Sequence, residues 1–263
     1  MPADAPSRTP SRDDVLAIIP ARFASTRLPG KPLVVLAGKT MIERVWRRVA
    51  LASSVTRIVV ATDDERVLNA VRAFGGDAVM TRATHRSGTE RAAEVVAGPL
   101  GQQNVRFVVN VQGDEPLLDP AGIDAAVEAL DSEAEIGVST LAVPIAVTSE
   151  IMDPNVVKTV LDFEDRALYF SRAPIPWVRD REGLVHARHL KHLGLYAFRR
   201  DTLLEFPTLP AGVLERVEQL EQLRWLENGY PIRVVETVND SVSVDVPEDV
   251  ARVEALLRAA GEG

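Results

Sequence analysis

Two carboxylates and one cationic loop carry most of the chemistry in this chain. In "RFASTRLPGKPL" (22–33), Arg22, Arg27 and Lys31 gather directly behind an apolar run, although the 263-residue chain has a formal net charge of -8. Guanidinium forks match phosphate oxygens bidentately and lysine adds a mobile point charge, so the loop reads as an anion site. Pro29, Gly30 and Pro32 narrow its conformations, which leaves less ordering entropy to lose on binding. The plain alternative is a solvated basic loop. "NVQGDEP" (110–116) ends another apolar run in Gly113 and Asp114. A carboxylate there suits a hard cation such as magnesium, which takes one or two carboxylates plus phosphate oxygens. A turn of solvated acids is the competing reading. "VDVPEDV" (244–250) follows an expected strand and offers Asp245 as a second ligand, while Asp249 and Glu248 serve a helix start equally well. Asp245 alone says little, but beside Asp114 and a cationic loop it makes a metal–phosphate site.

Other stretches divide between architecture and chemistry. In "HRSGTERAAEV" (85–95), Ser87 and Glu90 can cap a helix starting near Gly88. Alternatively, Gly88 and the free N–H groups at that start approach a polar ligand. "AGKT" (37–40) suggests a phosphate-binding P-loop, but that pattern needs glycine at position 33, which is leucine. Thr40 and Glu43 read instead as a capping box. No G-x-G-x-x-G follows the first strand, which argues against a dehydrogenase. His186, His189 and His192, three of the four histidines, fall at a spacing of three. On a strand His189 and His192 point to opposite faces, and no Cys or matching carboxylate cluster accompanies them, so zinc is disfavoured. One of them remains free to bind a substrate hydroxyl or carboxylate.

These residues sit at the ends of regular elements. "VLAII" (15–19), "RIVVAT" (57–62) and "RFVVNVQ" (106–112) read as buried strands. Ile42, Val45, Trp46 and Val49 mark one helix face, and Val67, Val71 and Phe74 another that Gly75-Gly76 stops. Strand–helix alternation implies a parallel sheet with helices on both faces, whose ligands bind beyond the carboxyl ends of the strands. The loop at Arg22, "ATDDE" and "NVQGDEP" all lie at such ends. From about 140 to 200 the character changes. "NVVKTVLDFEDRALYFSRAPIPW" reads as two strands around a turn and "HLGLYAF" as a third, together an antiparallel extension or lid. A helix across "LERVEQLEQLRWLENG", a strand "RVVET" and a final helix complete a single α/β domain over 15–263.

Composition sets outer bounds. Hydrophobic content of 46% supplies a core, while the acidic balance speaks against a nucleic-acid footprint. There is no cysteine, hence no thiolate nucleophile or disulfide framework, which fits a reducing compartment. No apolar run is long enough to span a membrane, and residues 1–14 read as a disordered extension without the apolar centre of a signal peptide.

"IIPARFASTRLPGKPL", "ATDDERV", "SGTER", "VNVQGDEPLL", "LYFSRAPIPW", "HLGLYAF", "LEQLRWLENG" and "VDVPEDV" occur in that order. Together they resemble the 3-deoxy-manno-octulosonate cytidylyltransferase (CMP-Kdo synthetase) family, from about Val15 to Ala259. The resemblance implies a Rossmann-like, GT-A-like nucleotidyltransferase fold and a cytoplasmic homodimer. It implies that CTP and Kdo are joined to CMP-Kdo with release of pyrophosphate, for lipopolysaccharide synthesis. Magnesium is implied as cofactor, two ions per site, one of them carried with CTP. Carried over by motif, Arg22 and Lys31, with Arg27 beside them, contact the triphosphate, and Ser87 and Gly88 lie next to the cytosine. Asp114 and Asp245 are the implied metal ligands. Gln112 reaches both substrates, and Arg172, His192, Tyr196, Glu221 and Gln222 contact the sugar, Arg172 at its carboxylate. Arg86 departs from the glutamine frequent in the family, and His186 and His189 have no counterpart. Two rivals stand beside this reading: a cytidylyltransferase for 8-amino-Kdo or a sialic acid, and a non-catalytic nucleotide-sensing module, against which both aspartates speak.

Overall fold

The protein is described by a computed structural model covering residues 15–25, 27–102, 104–180 and 187–262. The expectations for residues 1–14 and for His186 lie outside these residues. The first half alternates strand and helix. β1 (Val15–Ala21) is followed by the small hairpin of β2 (Val35–Leu36) and β3 (Lys39–Thr40), then α1 (Met41–Val49). Next come β4 (Arg57–Thr62), α2 (Glu65–Ala73), β5 (Asp77–Met80), α3 (Gly88–Ala97) and β6 (Phe107–Asn110). α4 (Pro120–Ser132), β7 (Val138–Pro144) and α5 (Thr148–Met152) lead to the paired strands β8 (Lys158–Leu161) and β9 (Ala167–Ser171). β10 (Leu190–Arg199), α6 (Arg200–Glu205), α7 (Val213–Glu218), α8 (Gln222–Glu227), β11 (Ile232–Glu236) and α9 (Pro247–Ala259) complete the chain.

The main sheet runs β11-β7-β10-β6-β1-β4-β5. β1 pairs in parallel with both β4 and β6, whereas β10 is antiparallel to β6 and β7. β1 buries both faces. Val15, Ala17 and Ile19 join the apolar layer under α1, α2, α4 and α9, and Leu16 and Ile18 join the layer under α3, α6 and α8. That two-sided burial explains its unbroken apolar sequence. Chain connections leave β1 toward β4 on one side and return at β6 on the other, so a crevice opens beyond the carboxyl ends of β1 and β6.

Helix starts follow the residues that define them. Thr40 Oγ1 accepts from Glu43 N at 3.3 Å, and Ser87 Oγ accepts from Glu90 N at 3.2 Å. The capping readings of "AGKT" and "SGTE" therefore hold, and Ser87 opens a helix that begins at Gly88.

Three expectations change. "HLGLYAF" is no lid: β10 lies in the middle of the main sheet, with Leu193, Leu195 and Ala197 in one apolar layer and Tyr196 and Phe198 in the other. The extension is β8 and β9, hung on the start of β10 through Leu190↔Thr159. The single helix across 214–229 is two, because Gln219 adopts a left-handed φ of 54° that no continuing helix accepts. The break lets Leu220, Leu223 and Trp225 enter the core while Val213, Leu214 and Val217 stay outside. Asp245 does not directly follow a strand, since β11 ends at Glu236 and irregular backbone covers 237–246.

Candidate active site

A cavity of about 390 Å³ opens in the crevice at β1 and β6. Arg22, Arg27, Lys31, Gly88, Gln112 and Asp114, six of the residues singled out from sequence, line it. Arg22 is the first residue after β1, and Gln112, Gly113 and Asp114 form the turn after β6. Gly113 is required by close approach, since a Cβ there would stand 2.7 Å from the Pro20 carbonyl oxygen. The turn therefore rests directly on the end of β1, and Asp114 faces the cationic loop.

Lys31 Nζ sits between two carboxylates. It bonds Asp114 Oδ2 and, at 3.0 Å, Asp245 Oδ1. Burial would lower its pKa, but the charge of Asp114 and the bonds to both carboxylates outweigh that, and the net shift is upward. Arg27 Nη2 adds a 2.8 Å contact to Asp245 Oδ1 from the exposed side. Asp245 reaches this position although its segment has no regular structure. Val244 N donates to Asp114 O at 2.9 Å, Ser241 Oγ donates to Glu115 Oε2 at 2.9 Å, and Asp249 Oδ2 accepts from Asp245 N and Val246 N. Asp249 thus caps the start of α9, and the Asp245 carboxylate is left to Lys31 and Arg27. One ammonium held by two carboxylates marks a place where a compact cation fits, with oxygen donors suited to magnesium.

Buried polar atoms without partners gather here. Arg22 Nη2, Arg91 Nε and Asn110 Oδ1 have none. An unsatisfied buried group costs about 1–3 kcal/mol, so such a cluster is matched to a polar ligand. Burial first, then the like charge of Arg91, lowers the Arg22 pKa.

A second cluster lies across α3. Thr89 Oγ1 donates to Glu221 Oε1 at 2.7 Å and receives Asn110 Nδ2 at 3.4 Å, and Tyr196 stands opposite Asn110 in the sheet. Burial pushes the Glu221 carboxyl up, partly offset by the Ser87 and Thr89 hydroxyls. Burial, then the nearby charge of Glu221, raises the Tyr196 phenol well above its usual value. His192 packs between Phe170, edge to face, and a tilted Tyr196, with ring centroids 4.9 and 5.4 Å away. Burial pulls its pKa down to about 3, so it is neutral. Its Nε2 lies 3.0 Å from Thr140 Oγ1, whose hydroxyl donates to Leu195 O at 2.7 Å. That assigns the proton to Nε2 and leaves Nδ1 as an acceptor. Gln112 links the clusters by donating to Gly194 O at 3.2 Å, at the irregularity where β10 shifts register between Leu193 and Tyr196.

Two residues are placed differently from their sequence reading. Arg172 presents no free fork, because Nε donates to Glu218 O at 2.8 Å and Nη1 to Pro154 O at 2.9 Å. Main-chain carbonyls occupy these donors. Gln222 is buried in α8 at 4% exposure. His189 Nε2 meets Pro176 O at 3.0 Å, away from His192 and its partner. Sequence reasoning passed over Glu115, whose carboxyl is raised to about 7 by burial and then by Asp114. It also passed over Arg91 and Asp63. The signal for Glu115 lay in "QGDEP", where the second acid must turn inward if the first faces the ligand.

The comparisons agree with this geometry. The cytidylyltransferase family description matches residues 16–238. The chain is 53% identical over 245 residues to a 3-deoxy-manno-octulosonate cytidylyltransferase of Solibacter usitatus, covering 93% of this chain and 95% of that one. It is 52% identical over 250 residues to the protein of that name from Syntrophotalea carbinolica, covering 93% and 98%. Among solved structures, a CMP:2-keto-3-deoxy-manno-octonic acid synthetase complexed with CTP superposes with a TM-score of 0.87 at 41% identity, covering 94% and 99%. A 4-diphosphocytidyl-2C-methyl-D-erythritol synthase from Anaerococcus prevotii shares the fold, with a TM-score of 0.62 at 13% identity over 94% and 97%.

Proposed function

The chain belongs to the cytidylyltransferase family, among the 3-deoxy-manno-octulosonate cytidylyltransferases, and from that premise we propose that it transfers CMP from CTP to the anomeric 2-hydroxyl of Kdo. The products are CMP-Kdo, destined for lipopolysaccharide, and pyrophosphate. The observation that carries the reading is the cavity lined by Arg22, with its unpartnered nitrogen, and by Lys31 and Asp114, the lysine also bridging to Asp245.

Phosphoryl transfer of this kind rests on positioning and charge neutralisation. Arg22 neutralises charge growing on the departing pyrophosphate. Lys31 has the reach to turn from its carboxylates onto a phosphate oxygen, and Arg27 supports it from the rim. Ser87 and Gly88 at the start of α3 receive the nucleoside, and Gln112 stands between nucleotide and sugar. On the sugar side, neutral His192 accepts a hydroxyl proton at Nδ1, and Glu221 and Tyr196 contribute polar contacts. Gln222 braces that wall from within α8. Asp114 and Asp245 would hold magnesium, with a further ion brought by CTP. The chemistry that magnesium would supply between these carboxylates is Lewis-acid stabilisation of developing negative charge.

The enzyme acts in the cytoplasm as a homodimer in this reading. Among the described residues no helix is long and apolar enough to cross a membrane. Support for the dimer comes from exposed Leu168, Trp177, Val213 and Val217, which lie on β9, on the segment after it and on the neighbouring α7.

The test is pyrophosphate release with each of the four nucleoside triphosphates and a panel of Kdo, 8-amino-Kdo and a sialic acid. Release is expected only with CTP and Kdo, and removing magnesium with a chelator stops it. Faster release with another 2-keto sugar acid reassigns the sugar, and release with no combination sinks the reading.

A further inference from the structure

Arg91 is used by no step above, yet it is fully buried and lines the same cavity as Arg22. Both of its terminal nitrogens are taken. Nη2 donates to Asp63 Oδ2 at 2.9 Å, and Nη1 donates to the Thr81 hydroxyl. Asp63 follows β4 and Thr81 follows β5, so the guanidinium is clamped across two strand ends. Its Nε has no partner, and neither has the buried Nη2 of Arg22. The charges acting on Arg22 include Arg91 against it and Asp63 and Glu90 in its favour. Asp63 is thus bonded to one of the two guanidinium groups that line the cavity.

We infer that Asp63 and Arg91 form a positioning pair that aims Arg22 at the triphosphate; this rests on the CTP-dependent reading above. Two guanidinium groups lining one cavity repel, and the Asp63 carboxylate bonded to the clamped Arg91 offsets that repulsion. Without the Asp63 charge, Arg91 becomes an uncompensated buried cation, and Arg22 is driven out of register. Simple glue between α3 and the sheet would instead affect stability wherever Arg22 points.

The test is a double-mutant cycle of Asp63→Asn and Arg22→Ala, reading the Kd for CTP by titration calorimetry alongside the thermal midpoint. Asp63→Asn is expected to weaken CTP binding at least about fivefold in the parent, and less than about twofold in the Arg22→Ala background. The KM for Kdo stays at the parent value. An equal fold-change in both backgrounds, or an unchanged Kd in Asp63→Asn, overturns the pair while leaving the CTP reading intact. A parent that binds no CTP overturns both. If Asp63→Asn does not fold, Thr81→Val, which removes the other clamp on Arg91, is put through the same cycle with the same two outcomes.

Discussion

At the scale of single residues, the site is a problem in electrostatics solved with few charges. Asp114 and Asp245 would repel across the crevice were Lys31 not between them. Replacing Asp114 by Asn leaves Lys31 tethered to Asp245, so the fold should persist. The charge stabilisation supplied by a bound metal is worth several kcal/mol, and Asp114→Asn should therefore lower pyrophosphate release at least ~100-fold. Near-normal magnesium-dependent turnover in that variant removes Asp114 from the mechanism. His192 makes the opposite case, a titratable group kept from titrating. Its folded pKa of about 3 lies below the ordinary histidine value. The unfolded chain thus binds a proton between about pH 6.5 and 3 that the folded chain does not, and stability falls as pH falls through that window. His192→Gln should show a shallower loss of thermal midpoint on acidification from pH 6.5. An identical slope in both proteins shows that His192 is protonated in the fold. Turnover between pH 6 and 8 should carry no inflection from this residue.

At the scale of elements, what could be read in advance depended on whether burial left a trace in polarity. β1, β4 and β6 are legible because both faces are buried and the positions between their ends are apolar. β7 is buried just as deeply but carries Ser139 and Thr140, which break the run. Both hydroxyls are satisfied locally, by Ala126 O at 2.6 Å and Leu195 O at 2.7 Å, so polarity there says nothing about exposure. The residues that line the cavity were legible because they are contiguous: Arg22, Arg27 and Lys31 share one loop, and Gly113 precedes Asp114. The Asp63–Arg91 clamp was not, because its members are polar residues far apart in sequence whose meeting is decided by strand order. The engagement of Arg172 with carbonyls was not legible for a related reason, since a free fork and one spent on carbonyls have the same letter. The turn after β6 gives the element-scale prediction. Gly113→Ala forces a Cβ against the Pro20 carbonyl, so β6 and β1 must separate at the site. A loss of ~1–3 kcal/mol is expected, as for other overpacked positions, read as a lower thermal midpoint together with reduced turnover. An alanine variant with parent stability and activity refutes the close packing of that turn.

For the whole molecule, the open question is what covers α7. This helix is only six residues long, none of them buried, and Val213 and Val217 are 62% and 75% exposed. A helix so short does not stand on its own propensity. Polar tethers hold it instead: Glu227 Oε1 and Oε2 accept from Leu214 N and Glu215 N, Arg224 grips Glu215, and Glu218 takes the Ser171 hydroxyl. These ties fix its place and leave its apolar side bare, beside Leu168 of β9 at 62% exposure. A second copy of the chain is the occupant that the dimer reading supplies. The helix also leads, through Gln219, into Glu221 on the sugar side, and Arg172 is bonded to its last residue. In the proposed reading, order in α7 is therefore order around Glu221, while the cavity at Arg22 and Asp114 hangs on the ends of β1 and β6. Leu168→Asp combined with Val217→Asp should yield monomers by light scattering, with the KM for Kdo raised at least several-fold and that for CTP unchanged. Dimers in the double variant place the interface elsewhere, and monomers with an unaltered KM for Kdo break the link between assembly and the sugar site.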